Sequence, residues 1–172
     1  MTLNAVVDER ALRELYLTGF EIAVKEGRPG ALMTSYNQVN GIQSNENPQL
    51  MLDILRDEWG YDGMVVTDWG GSDDHIRGIQ CRSTLEMPNP GLYAAREVLR
   101  AVERGELSEA EINLCLKDYF RTLRRAAVQA KKAVPVDPLR QHALARRAAR
   151  ESAVLLKNDG ILPLSGEETV AL

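Results

Sequence analysis

Histidine, cysteine and aromatic residues are all scarce in this chain of 172 residues, which has two histidines, two cysteines and 5% aromatics. Cys81 and Cys115 lie far apart, with no second pair and no histidines at ligand spacing. This argues against a disulfide scaffold and against a zinc site, and leaves two plain thiols. Long apolar runs are also missing: no window approaches the roughly 18 residues a membrane span needs, and the first ten residues lack a basic segment followed by an apolar core. Nothing reads as an export signal or an anchor, so the expectation from these residues is a cytoplasmic protein. Positive charge is not in excess either. The net charge of −4 and a pI near 5.3 give no global basic field to draw nucleic acid or an anionic membrane.

What is present is alternation. Asp8-Glu-Arg-Ala opens like a capped helix, and Leu12, Leu15, Tyr16, Gly19, Phe20 and Ala23 recur at helical spacing until Gly27-Arg-Pro-Gly30 ends it. Ala31 to Tyr36 reads as a strand running into an Asn37-Gln-Val-Asn-Gly41 loop. Asn47-Pro48 starts a helix with Leu50, Met51, Ile54 and Leu55 on one face, which stops at Trp59-Gly60. Met64-Val-Val-Thr-Asp-Trp69 is a second strand. After it come a short helix over 73–80, a brief strand Thr84-Leu-Glu-Met87 and a Pro88-Asn-Pro-Gly91 turn.

Helices and strands alternating at this spacing predict parallel β/α units, with right-handed crossovers that bring Tyr36, Asp68 and Glu86 to one rim. From Leu92 the pattern is helical: one helix near Tyr93–Arg104, then Ser108 as N-cap with Glu111 completing a capping box, then a long helix towards Lys132. Ala133–Pro138 reads as a linker, His142–Lys157 as a further helix and Thr169–Leu172 as the opening of a strand.

Asp68 is the residue to explain. Ligands of α/β barrels and open α/β sheets bind beyond the C-terminal ends of the strands, where a carboxylate held by rigid backbone meets substrate. The competing structural reading is a cap for the helix that follows, since Asp beside Gly-Gly-Ser is also ordinary turn chemistry.

Five ordered strings carry a resemblance. Leu32-Met-Thr-Ser-Tyr-Asn-Gln-Val-Asn-Gly41, Leu52-Asp-Ile-Leu-Arg-Asp-Glu-Trp-Gly-Tyr-Asp-Gly63, Val65-Val-Thr-Asp-Trp69, Leu85-Glu-Met-Pro88 and Glu151-Ser-Ala-Val-Leu-Leu-Lys-Asn-Asp-Gly-Ile-Leu-Pro-Leu164 resemble glycoside hydrolase family 3, of β-glucosidase type. The resemblance implies an α/β fold: a partial (β/α)8 TIM-like barrel of about three β/α units, then helices and the opening of an α/β sandwich. The corresponding divisions are the C-terminal part of the barrel domain over 1–132, a linker and helix over 133–165, and a truncated start of the sandwich over 166–172.

By the same resemblance Asp68 matches the family's catalytic nucleophile. A retaining glycosidase uses one carboxylate to form a covalent glycosyl-enzyme, and a second, about 5 Å away, to protonate the leaving oxygen and then activate water. The family's acid/base carboxylate and the motifs that grip the sugar hydroxyls fall outside these residues, so the chain alone is expected to be inactive. Tyr36 matches a tyrosine near the nucleophile, Met33 and Trp69 match apolar residues of the sugar subsite, and Glu86 is a supporting or substrate-contacting carboxylate. The substrate implied is a β-glucoside or a related small saccharide. No metal or organic cofactor is expected, because two carboxylates and water complete the reaction.

Two features stand apart from the family pattern. Cys81-Arg-Ser-Thr84 occupies a turn where the family carries a small residue and an acid, so Arg82 puts a bulky cation in a tight place. His75 is expected to be a surface helix residue with no role.

Two other function classes remain in view. Residues 121–150 hold nine cations against the single Asp137, a local charge of +8 that leaves −12 on the remainder. That could serve a phosphate backbone, but no aromatic or recognition motif accompanies it, and a solvated or internally paired face is the better expectation; neither nucleic acid nor membrane is expected as a partner. The other class is a non-catalytic module that self-associates, as a homo-oligomer, through the strand edges that a cut barrel exposes.

Overall fold

A computed structural model describes residues 3–130, 134–167 and 169, and divides the chain into two compact units, Met1–Lys132 and Ala133–Leu172. The first unit is α/β. Asp8 caps its opening helix, its carboxylate accepting from the Ala11 amide at 2.9 Å. The helix runs through Glu9–Ala11, Leu12–Tyr16, Thr18–Ile22 and Ala23–Gly27, with two of these stretches wound more widely: the Leu17 amide, for example, reaches back five residues to the Leu12 carbonyl at 2.8 Å. Arg28, in the left-handed region at φ 49°, ends it. The predicted apolar stripe is only partly the buried one. Leu12 and Val24 are buried, whereas Leu15, Tyr16 and Phe20 are each more than half exposed. The widened turns advance the helix by more than 3.6 residues per turn, so a regular count from Leu12 drifts off the core face.

Strand β1 is Asn4–Ala5, β2 is Ala31–Met33, β3 is Gln38–Val39, β4 is Ile42–Gln43 and β5 is Met64–Val66. β2 lies parallel to β5, with Leu32 opposite Val65 and Met33 opposite Val66, and Val66 bridges in parallel to Leu85 on its other side. The parallel order expected from the alternation is therefore present, although the third strand is a single bridge rather than Thr84–Met87.

The segment expected to be a loop after β2 is instead a hairpin. β3 and β4 pair antiparallel around Asn40-Gly41, both at positive φ, and β1 adds to β3 in parallel. Asn-Gly suits this turn because both central residues must take φ > 0.

The core packs Val24, Met51, Leu55, Tyr61, Val65 and Cys81 between the helices and β5. Met51 and Leu55 reach it from the helix Gln49–Glu58, whose expected apolar face also buries Ile54 but leaves Leu50 only half-buried. Burial holds the thiols of Cys81 and Cys115 up at about 11, so neither is a ready nucleophile at neutral pH.

A polar knot completes the packing. Asp118, on the helix Glu109–Ala130, is fully buried and accepts from Arg82 Nη2 at 2.7 Å, with Arg56 Nη2 at 3.6 Å. Arg56 also donates to the carbonyls of Tyr61, Gly63 and Arg82. This answers the sequence's question about Arg82: its cation serves a buried acid. On the same helix Arg121 and Arg125 pair with Asp62, so part of the basic stretch is internally paired, as its bland reading expected.

The Ser108 and Glu111 capping box forms at the head of that helix, with the Glu111 amide donating to Ser108 Oγ and Glu111 returning the contact to the Ser108 amide at 2.8 Å. The helix Leu92–Glu103 precedes it.

In the second unit the helix is Pro138–Ser152, not His142–Lys157. Asp137 caps it through the Leu139 and Arg140 amides, which moves its start upstream to Pro138, and the chain is extended from Ala153. Asn158 then closes a turn by accepting from the Gly160 and Leu162 amides, both at 3.1 Å. The strand expected over Thr169–Leu172 falls at residues 170–172 outside the described residues. Among those described, no helix is long and apolar enough to cross a membrane.

Candidate active site

The site forms where β2 and β5 run out. The Thr34 amide extends the ladder to the Val66 carbonyl at 2.9 Å, and two residues further along each segment lie Tyr36 and Asp68. Hydrogen bonding to Asp68, reinforced by the charge of that carboxylate, holds the Tyr36 hydroxyl above its ordinary value of 10. Asp68 Oδ1 accepts from the Trp69 amide at 2.8 Å. The helix that follows, His75–Gln80, is capped by Asp74 through the Arg77 amide. Asp68 therefore does not cap that helix, although its carboxylate and its carbonyl, which accepts from the Gly71 amide at 2.9 Å, both take part in the turn.

Thr67, 1% exposed, fixes the strand end from behind. Its hydroxyl accepts from the Met87 amide at 2.8 Å while its own amide donates to the Leu85 carbonyl at 3.0 Å. The Leu85 to Met87 segment is thus locked to the strand that leads to Asp68. Trp69 and Met33 stand open to solvent, 52% and 58% exposed, as apolar surface beside this carboxylate's strand end. Sequence alone, without a family, would have buried both.

Glu86 is tied to a helix residue. It meets His75 Nδ1 at 2.7 Å, and His75 Nε2 lies 3.8 Å from Glu97 on Leu92–Glu103. His75 is only 15% exposed at its side chain, which corrects the expectation of an idle surface residue. The reason is tertiary: Glu86 and Glu97 are 11 and 22 residues away in sequence. Tyr36 and Asp68 both lie just past the C-terminal ends of the adjacent strands β2 and β5, whereas the Glu86 carboxylate engages a helix.

Sequence reasoning also missed Gln43 to Asn47. These five polar residues are all buried, ahead of the helix Gln49–Glu58. Glu46 Oε1 accepts from the Asp73 amide at 2.6 Å, the Asp74 amide at 2.9 Å and the Ser72 hydroxyl at 3.3 Å, in the loop after Asp68. A run of short polar residues before Pro48 reads as a solvated turn, and nothing local signals its burial.

The parallel strands β2 and β5 thus bring a carboxylate, a tyrosine and open apolar side chains to their C-terminal end, the edge at which ligands of α/β folds bind. The profile of the glycosyl hydrolase family 3 N-terminal domain matches residues 2–117, and the chain belongs to that family.

Among its relatives, thermostable beta-glucosidase B of Acetivibrio thermocellus is 41% identical over 173 residues, covering 100% of this chain and 23% of that enzyme. Beta-glucosidase 3B of Thermotoga neapolitana, solved with glycerol, superposes with a TM-score of 0.79 at 33% identity over 96% of this chain and 24% of its own. The same enzyme solved with glucose gives 0.77 at 34% identity, over 95% of this chain and 24% of its own. The chain spans about a quarter of the length of the relatives it matches.

Proposed function

We propose that this chain carries the nucleophile side of a retaining β-glucosidase-type active site, with Asp68 as the attacking carboxylate. The observation that carries the reading is the convergence of Tyr36 and Asp68, each two residues past the Thr34–Val66 hydrogen bond at the C-terminal ends of the adjacent parallel strands β2 and β5, with the Tyr36 hydroxyl raised by that carboxylate. Asp68 attacks the anomeric carbon and the glycosidic oxygen leaves, giving a glycosyl ester that water then hydrolyses. The tyrosine hydroxyl orients the carboxylate by hydrogen bonding. Trp69 and Met33 offer apolar surface to the C–H face of a pyranose. Glu86, held by His75, supports the segment that closes over Thr67 rather than touching the reacting carbon. The strands β2, β5 and the Leu85 bridge, with their helices, are consecutive β/α units of a barrel in this reading. The proton for the leaving group comes from a carboxylate outside this chain, so the chain alone is inactive on ordinary glucosides.

The test is covalent labelling. An aryl 2-deoxy-2-fluoro-β-glucoside with an activated leaving group departs without acid assistance, so attack by Asp68 is readable by intact-mass spectrometry even without the second carboxylate. A single adduct that maps to Asp68 and is absent from Asp68→Asn supports the reading. Unmodified protein, or an adduct elsewhere, overturns it.

A second reading, self-association, is favoured by one observation: Leu15, Tyr16, Phe20 and Ile22 are more than half exposed on a single helical segment. Sedimentation velocity across a concentration series distinguishes a monomer from a homo-oligomer.

A further inference from the structure

Glu46 is the least expected buried acid in the molecule. It is 5% exposed, and all three donors to its Oε1 come from loop 72–74: the amides of Asp73 and Asp74 and the hydroxyl of Ser72. Asn45, 1% exposed, adds a second tie by donating from Nδ2 to Ser72 Oγ at 3.0 Å. The other end of this loop is fixed to the site itself, where the Gly71 amide donates to the Asp68 carbonyl at 2.9 Å. On the opposite side the loop lies so close to the Ser35 carbonyl that a Cβ on Gly71 would sit 2.8 Å from that oxygen.

Ser35 is the residue before Tyr36. The chain of contacts thus runs from Glu46 through Ser72, Asp73 and Gly71 to Asp68, and from Gly71 across to the segment bearing Tyr36.

We propose that Glu46 is a positioning residue: by gathering the donors of loop 72–74 on one buried oxygen, it sets the turn that holds Asp68 in register with Tyr36. A surface loop rich in glycine has little of its own to fix it, since Gly70 and Gly71 contribute no side chains to packing. Two backbone amides converging on one carboxylate oxygen are charge-assisted bonds, stronger than neutral ones, and burial strengthens them further. The inference rests on Asp68 being the reacting group of the proposed function, and its test does not need turnover.

The readout is the titration of Tyr36 in the full chain, followed by NMR with ring-carbon-labelled tyrosine and assigned with Tyr36→Phe. Tyr61, buried and held at about 12, is the internal reference for general loosening. In Glu46→Ala the Tyr36 midpoint is expected to fall back towards 10 while Tyr61 stays in place. Glu46→Gln keeps an acceptor oxygen without the charge and is expected to retain the raised midpoint, which separates geometry from field. Should Glu46→Ala fail to melt cooperatively, Glu46→Asp, which withdraws the carboxylate by one methylene, takes its place with the same expectation.

A folded Ala or Asp variant with an unmoved Tyr36 overturns the proposal, as does a fall in Tyr61 alongside Tyr36. Asp68→Asn is the control on the underlying pair. If it leaves Tyr36 unmoved, the Tyr36–Asp68 pair itself is refuted, and with it the observation that carries the proposed function. If it lowers Tyr36 but Glu46→Ala does not, only the positioning role is lost.

Discussion

Arg82 Nη2 stands 2.7 Å from Oδ2 of Asp118, a carboxylate with no solvent exposure, although the two residues are 36 positions apart and Arg82 holds a left-handed backbone at φ 58° to make the contact. Arg56, also buried, shares the same oxygen at 3.6 Å. The turn before Leu85 and the helix Glu109–Ala130 are therefore joined through charge, close behind the strand that ends in Asp68.

Removing the acid leaves two arginines without their counter-charge, one of them buried. Asp118→Ala is expected to cost about 3–5 kcal/mol of folding stability, the range for breaking a buried ion pair from one side. Urea unfolding followed by far-UV circular dichroism gives the number, and a cost under about 1 kcal/mol would sink the assignment of Asp118 as the knot's centre.

Arg82 carries two opposed effects that glycine and alanine separate. Both substitutions lose the contact to Asp118 and should destabilise, but only glycine is at ease at positive φ, so Arg82→Gly should be the more stable by about 1–2 kcal/mol. Equal midpoints for the two variants in parallel denaturation curves would mean that the left-handed conformation is not held in solution.

Gly71 has no room for a side chain, because a Cβ there meets the Ser35 carbonyl at 2.8 Å and the Asp68 carbonyl at 3.3 Å. Backbone on both sides cannot swing away, and Gly71→Ala is expected to cost about 1–3 kcal/mol as an overpacking change. It should also lower the Tyr36 midpoint, since it forces apart the segments bearing the pair. Calorimetry and the tyrosine titration measure the two effects separately.

Acid should loosen the first unit. Hydrogen bonds from arginines hold four carboxylates below their ordinary values: Arg13 acts on Glu9 and Glu58, Arg125 on Asp62 and Arg104 on Glu106. A carboxyl group with a folded-state value below its unfolded one binds more protons when unfolded, so its stabilisation is present above the unfolded value and fades as pH falls through the folded one. All four are largely exposed, so each effect is small and weakened by salt. Melting temperatures between pH 6 and pH 3 should decline most steeply below about pH 4, and by less in high salt, given ordinary carboxyl values near 4.

The legible parts of the fold were those that a short window encodes. Asp8, Ser108 with Glu111, and Pro48 mark helix starts through contacts within a few residues, and the structure has helices beginning at each. Met64-Val-Val is a short apolar run bounded by turn residues, so it reads as a strand without any partner in view, although only Val65 is fully buried. The hairpin at Asn40-Gly41 was legible in principle from its turn residues, yet two-residue strands give too little alternation to announce themselves.

By itself the sequence determined the order of helices and strands, the parallel β/α alternation and, through five motifs in family order, the identity of Asp68 as the carboxylate to watch. Only the tertiary structure decided that Glu86 turns to His75, that Arg82 serves Asp118, and that Glu46 lies buried beneath the loop after Asp68. The physical reason is range. Capping and periodicity act over three to seven residues, whereas a buried polar group must find its partner wherever the chain brings one. Those partners sit 11 to 36 positions away, beyond the reach of any local pattern.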